Sequence, residues 1–431
     1  MRTSIIKHIH TTEKFKKQLL HWSNQFREVV FLDSNNYKQD YSNYDLIVAV
    51  DAFTSIKTDY INAFEDLKQY QSNAKDWLFG YLSYDLKNDI EDLKSQNSDS
   101  LEFPDLYFFQ PKKLFLLKGN QLEIQYLNMV DDEVDEDFEE ITSIEFSAFS
   151  TLQEIKIEQR ISKENYISKV SKMLEHIHKG DIYEANFCME FFANKTQINP
   201  LETYIKLNNI SEPPFAVYFK NDKQYLLSAS PERYLRKESA KVISQPIKGT
   251  AKRSLNAIED EKLKEELGLN EKERSENIMI VDLVRNDLSQ TATKGSVKVE
   301  ELCGLYTFKQ VHQMISTVVS EVDFTTAPIE ILRSTFPMGS MTGAPKISAM
   351  KIIEKLEETK RGLYSGAVGY FTPEGDFDFN VVIRSILYNE KNQYLSFSVG
   401  SAITSQSIPE REYEECLLKA KAMFEVLNKV K

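Results

Sequence analysis

The sequence is poor in cysteine, has no surplus of positive charge and contains no long apolar run, and each shortage closes off a class of protein. Cys188, Cys303 and Cys416 are its only cysteines. They lie far apart, leave one over in any disulfide scheme and make no CxxC metal spacing, so they read as small buried hydrophobes. Lys and Arg number 53 against 66 Asp and Glu, a net charge of −13, so a phosphate-tracking surface for nucleic acid is not expected. No stretch approaches the ~20 apolar residues of a spanning helix, and the opening MRTSIIKHIHTTEKF lacks the apolar centre of a signal peptide, which makes the cytoplasm the expected location. Repeats of solenoid length and low-complexity tracts are missing too.

What is present is 431 residues, 41% apolar and 28% charged, close to the globular average. That length supports a large core and two or three structural units, as in an enzyme. Strand-like runs at residues 45–50 (DLIVAV) and 106–117 precede a seam expected near residue 150. The seam separates an N-terminal region, 1–150, from a region 151–431 where unusual motifs concentrate. Strands at 224–229, 242–247 and 394–399 mix there with helices in no regular alternation, which predicts an α+β fold over a doubly wound parallel sheet. The segments 97–100 (NSDS) and 131–140 (DDEVDEDFEE) read as solvated turns or loops.

Three helices are placed by spacing and caps. One covers about 258–288, with Gly268 and Asn270 breaking its first half. A second begins at Pro345 and stops before Gly362, with Lys360 and Arg361 in its last turn. The third opens on a capping box of Ser407 and Glu410 and runs to the C-terminus, with Tyr413, Leu417, Ala420 and Phe424 as its apolar stripe.

Several constellations could carry chemistry. Glu273 and Glu276 on the first helix, and Glu412 and Glu415 on the third, are i, i+3 pairs that could together hold one hard divalent cation, or could be two solvated helix faces. The turn GSMTGAPK at 339–346 enters a helix whose N–H groups could receive a carboxylate, or could be capped by Thr342. It is not a phosphate-binding loop, which needs GK followed by Ser or Thr. Lys248 directly follows the strand-like run 242–247. Burial beside Pro246 and Ile247 would lower its pKa and free the amine as a nucleophile, while a solvated strand lysine is the plain alternative. Glu232, after Pro231, could donate a proton to a leaving hydroxyl if burial raises its pKa, or could pair with Arg233 or Arg236.

Seven motifs occur together: GDIYEANF (180–187), SPER (230–233), PIKGT (246–250), ENIMIVDLVRND (276–287), FPMGSMTGAPK (336–346), IRS (383–385) and EREYEECLLK (410–419). In this order they resemble the chorismate-binding enzymes, the family of anthranilate, aminodeoxychorismate, isochorismate and salicylate synthases, over residues 155–430. The resemblance implies two packed, mainly antiparallel β-sheets with helices outside. It implies Mg²⁺ held by Glu276 and Glu415, with Glu273 and Glu412 behind them. Arg384, Lys419 and the backbone at Gly400 would hold substrate carboxylates, with Gly249, Thr250, Thr342 and Gly343 lining the pocket. Glu232 matches the family's acid for the departing C4 hydroxyl.

Position 248 discriminates within the family: anthranilate synthases resemble PIAGT here and aminodeoxychorismate synthases PIKGT. The lysine type implies that the amine adds at C2 of chorismate as the C4 hydroxyl leaves, and that ammonia then adds at C4, giving 4-amino-4-deoxychorismate for 4-aminobenzoate and folate synthesis. No cysteine sits in a nucleophile elbow, and the resemblance implies that a separate glutamine amidotransferase subunit supplies the ammonia. An anthranilate synthase component I with an unusual lysine, and a non-catalytic regulatory subunit, are the alternatives. Three departures stand out: Glu184 where amine-using members have Gln and water-using members Lys, Gln313 where many have His, and Gly400-Ser401-Ala402 in place of a glycine-rich run. Leu32, Asp33, Ser34, Pro214, Phe215 and Ala216 sit where related chains form a tryptophan pocket, and binding there is an expectation of the resemblance alone.

Overall fold

Buried side chains on neighbouring strands sort to two sides with a period of two. Val29, Phe31, Val48 and Val50 enter one core, while Val30, Ile47 and Ala49 between them enter another. A strand covered on both faces reads as a continuous apolar run, which is why residues 45–50 look unbroken in sequence. The computed structural model describes residues 1–38, 40–146 and 155–427.

All named strand pairings are antiparallel, and they form one ladder folded over into two layers. The first layer runs Gln121–Leu127, Leu106–Lys118, Leu46–Thr58, Glu28–Asp33, Phe215–Asn221, Gln224–Ser230, Ser385–Asn389, Tyr394–Ile403, Glu184–Ala193. The second runs Leu78–Leu82, Ala367–Phe371, Phe377–Val381, Arg233–Glu238, Lys241–Gln245, Val311–Glu321. The long strand Leu106–Lys118 joins them, because its first residues also pair with Leu78–Leu82. Between the layers Tyr81 meets Phe219 edge-on at 5.3 Å, and Phe108 packs on Phe371 and Phe379. Helices carrying Phe15, Tyr166, Tyr204 and Met423 cover the outer face of the first layer. Two packed antiparallel layers with outer helices are the α+β arrangement expected.

Local expectations fare unevenly. The first predicted helix is indeed two, Ala257–Leu269 and Glu271–Ser289, and Asn270 between them accepts the Glu273 N–H as an N-cap. The acidic run is not a loop: Val134–Ser143 is a helix, because Val134, Asp137 and Ile141 share a buried face and Asp137 accepts hydrogen bonds from Lys113 and Tyr126. The capping box does not form. Ser407 Oγ accepts from Thr404 N and donates to Ala402 O, and the helix Pro409–Leu427 begins with Arg411 and Glu412 N–H donating to Ile408 O. Its buried stripe passes through Cys416 and Met423, and Leu417 is 37% exposed. Residues 428–431, into which that helix was expected to continue, and the seam near 150 fall outside the described residues. All three cysteines are buried and free.

The helix after Pro345 is Lys346–Leu356, so Lys360 and Arg361 lie beyond its end. The chain is drawn out there by Lys360 N–H donating to Ser98 O and by the Arg361 side chain. That guanidinium, 7% exposed, donates to both Glu357 carboxylate oxygens at 2.9 and 2.7 Å, to Met341 O at 2.6 Å and to Asn186 O at 2.8 Å. Glu357 also accepts the Cys188 N–H at 2.9 Å. One buried fork thus pins the strand Glu184–Ala193 to the turn Gly339–Met341. Lysine keeps the charge and cannot reproduce the planar fork. Arg361→Lys is expected to lower stability by about 2 kcal/mol or more in urea titration, through the acceptors left unpaired; an unchanged midpoint would contradict the clamp.

Candidate active site

The strand Ile247–Lys252 pairs with Val311–Glu321 at Ile247↔Ile315 and Thr250↔Gln313, with an irregularity between. Gly249, at φ +93°, makes that irregularity, a conformation that a side chain would strain. The kink lies beside Lys248, which is 9% exposed and whose Nζ donates to Glu184 Oε1 at 2.8 Å. Glu184 is 2% exposed, and its other oxygen, Oε2, has no hydrogen-bond partner. The unexplained departure at 184 is therefore the partner of the discriminating lysine. Burial alone would lower the Lys248 pKa, but Glu184, Glu276 and Glu232 together outweigh it and leave the lysine above its ordinary value. The expected free amine is not the resting form, because the pocket that desolvates the ammonium also surrounds it with carboxylates.

Glu232 is 5% exposed at the turn into Arg233–Glu238. Arg233 and Arg236 do not pair with it; both reach Asp378, at 2.9 and 3.3 Å. Burial pushes the Glu232 carboxyl up to about 7 against the pull of Ser340, Lys248 and the Ile247 N–H. It is placed to carry a proton at neutral pH.

The two acidic pairs meet across their helices. Lys272 Nζ lies 3.4 Å from Glu412 and 3.6 Å from Glu276, and Glu415 pairs with Lys419 at 2.6 Å. Lys272 escaped the sequence reading, although its position four residues before Glu276 on one helix was the available signal. Glu276 Oε1 is buried without a hydrogen-bond partner. Burial raises Glu276 to about 7, Lys248 and Lys272 opposing and Glu184 and Glu273 adding to it. Among the described residues no three His, Cys, Asp or Glu side chains form a ready-made metal cage. Mg²⁺ does not need one, since it takes one or two carboxylates and completes its shell with water and substrate oxygens. A desolvated carboxylate oxygen that accepts no hydrogen bond fits that demand.

Lys248, Glu232, Lys272, Glu273, Glu276, Glu415 and Lys419 line one cavity of about 550 Å³, together with Asn186, Thr250, Gln313, Ser340, Met341, Tyr364, Arg384 and Gly400, while Glu184 and Glu412 are not among its lining residues. Seven Lys and Arg side chains face it against five Glu, in a chain of net charge −13. Arg384 sits at φ +53°, a strained conformation for a non-glycine residue, and its guanidinium has no hydrogen-bond or ion-pair partner among the described residues. Lys419 donates to Gly400 O at 2.9 Å. A side chain at Gly400 would strike Asn186 Oδ1 and Cys188 Sγ, within 2.7 Å.

Ser340 and Met341, and not Thr342 or Gly343, present the 339–343 turn to the cavity. Thr342 is fully buried and neither caps the following helix nor lines the cavity; its hydroxyl donates to Met338 O or Gly339 O, each at 3.2 Å. Gly343 packs on the Glu184 backbone so closely that an added Cβ would lie 2.1 Å from Glu184 O. Gln313 lines the cavity with Oε1 unpartnered, while adjacent His312 points away to Asp260, at 3.0 Å. Ser34, Pro214, Phe215 and Ala216 do come together, with Leu32 and Asp33, around a separate cavity that Arg233 and Tyr44 complete.

The sequence profile of the chorismate binding enzymes matches residues 27–425. The chain is 32% identical over 396 residues to aminodeoxychorismate synthase component 1 of Bacillus subtilis, covering 87% of this chain and 80% of that one. It is 33% identical over 362 residues to anthranilate synthase component 1 of Thermus thermophilus, covering 81% and 77%. It is also 33% identical to a probable chloroplastic aminodeoxychorismate synthase of rice, of whose length it spans 43%. The crystal structure of anthranilate synthase component I from Streptococcus pneumoniae superposes with a TM-score of 0.78 at 24% identity, covering 90% of this chain and 93% of that one, which supports the fold. The buried lysine, the raised carboxyl and the acidic helix pairs thus stand on the scaffold of that family, and the chain belongs to the chorismate-binding enzymes.

Proposed function

We propose that this chain aminates chorismate at C4 to give 4-amino-4-deoxychorismate, the step toward 4-aminobenzoate and folate, and that it works in the cytoplasm. The observation that carries the reading is Lys248: a primary amine buried in the cavity wall, beside a carboxyl held near neutrality. A chain that only released pyruvate and formed anthranilate would have no use for that amine.

Arg384, Lys419 and the backbone around Gly400 hold the substrate carboxylates, and the cationic lining favours a dianion. Glu276 and Glu415 would hold Mg²⁺, which would supply positive charge to the ring carboxylate. Lys248 attacks C2 while Glu232 protonates the departing C4 hydroxyl as water. Ammonia then adds at C4, the amine leaves C2, and the enolpyruvyl group stays in place. A separate glutamine amidotransferase subunit supplies the ammonia. The curated relatives include anthranilate synthases, so anthranilate synthase component I is the second reading.

The first test is product mass. Purified chain with chorismate, Mg²⁺ and ammonium salt is expected to give aminodeoxychorismate without pyruvate, and Lys248→Ala to abolish it or divert it to anthranilate; anthranilate as the wild-type product refutes the reading. Acidity at Glu232 is tested by stability. A carboxyl raised from 4.5 to about 7 on folding contributes stability below its unfolded pKa that is lost as pH rises through about 7. Glu232→Gln removes that dependence, so the variant should gain on wild type by up to about 1.4 kcal/mol per pH unit between pH 5 and 7, read from urea midpoints.

A further inference from the structure

The lysine that must attack is held as an ammonium, so something has to take its proton. The charged groups facing Lys248 come from four elements: Glu184 from its strand, Glu232 from the turn, Glu273 and Glu276 from the helix Glu271–Ser289, and Glu415 from the helix Pro409–Leu427. Glu232 is committed to the C4 oxygen, and Glu276 and Glu415 to the cation. Glu184 alone makes a hydrogen bond to Nζ, at 2.8 Å, and Oε2 of the same carboxylate is buried with nothing bonded to it. Its position is fixed: Glu184 pairs with Ala344, the Tyr183 N–H donates to Ala344 O, and Gly343 packs on the Glu184 carbonyl.

We infer that Glu184 is the proton acceptor that converts the Lys248 ammonium into the attacking amine and returns the proton when the amine departs. This rests on the amination proposed above. The proton moves from Nζ to the Glu184 carboxylate, leaving a neutral amine and a carboxylic acid. The nitrogen lone pair forms the N–C2 bond, both ring double bonds shift by one position, and the C4–O bond breaks with the Glu232 proton going to the leaving oxygen. Ammonia then forms the C4–N bond, the double bonds shift back, and the C2–N bond breaks with its electron pair returning to Lys248. The new C4 ammonium restores the Glu232 proton, and Glu184 restores that of Lys248. The net change is ammonia in and water out.

Glu184→Gln keeps an oxygen against Nζ and cannot accept the proton. At neutral pH its kcat is expected to fall by roughly 10²-fold or more with KM for chorismate unchanged. The deficit should shrink as pH rises and solvent takes over as base, and Glu184→Asp should recover part of the rate. In the Lys248→Ala background Glu184→Gln should cost nothing further, because the acceptor then has no donor. If Glu184→Gln does not fold, Glu184→Asp carries the test through the same split, a lowered kcat with KM kept. Wild-type kcat and pH profile in Glu184→Gln, or an additive loss in the double variant, overturns the inference. A wild-type chain that forms no aminated product overturns this inference and the amination together; one that aminates but is indifferent to Glu184→Gln overturns the inference alone.

Discussion

Two opposite charges taken out of water at one point set the terms for the rest of the site. The Lys248–Glu184 pair is buried on both sides, and a pair of that kind returns its desolvation cost only when it is held in good geometry and the surroundings supply further opposite charge. The surroundings here do so lopsidedly. Glu232 and Glu276 crowd the same ammonium, Lys272 adds its charge at Glu276, and burial still pushes both carboxyls up to about 7.

The strands and the site motifs were legible in sequence to different degrees. The long apolar runs announced buried strands, because a strand covered on both faces carries no polar register to obscure it. The break at Asn270 was legible because its side chain caps locally. The acidic run misleads because its charge density suggests solvation; Asp137 is neutralised by Lys113, more than twenty residues away in sequence, and no local pattern shows that. The helix after Pro345 was overextended for the same reason: Arg361 is pulled out by Met341 and Asn186, both remote.

The function of Glu184 is the clearest case of information absent from spacing. It lies 64 residues from Lys248, and nothing in GDIYEANF or PIKGT says that the two meet. The family resemblance marks position 184 as a departure, and the structure shows the contact it makes, with Lys248. Lys272 is the converse, a residue whose helical spacing was visible but whose position between two acidic faces was not. Beside Gln313, His312 turns away to Asp260 and is no substitute for the missing histidine.

The strand Leu78–Leu82 pairs with Ala367–Phe371, with Gly80 opposite Gly369. The edge laid down early in synthesis therefore waits nearly 300 residues for its neighbour. At typical elongation of roughly 5–20 residues per second the wait is about 15–60 s. Through that interval Phe79 and Tyr81 belong to a sheet that is not yet closed. Pairing so distant in sequence folds slowly and leaves an open edge for other chains, so this architecture, whatever its final stability, is one that a ribosome delivers half-finished and a cell has reason to shelter.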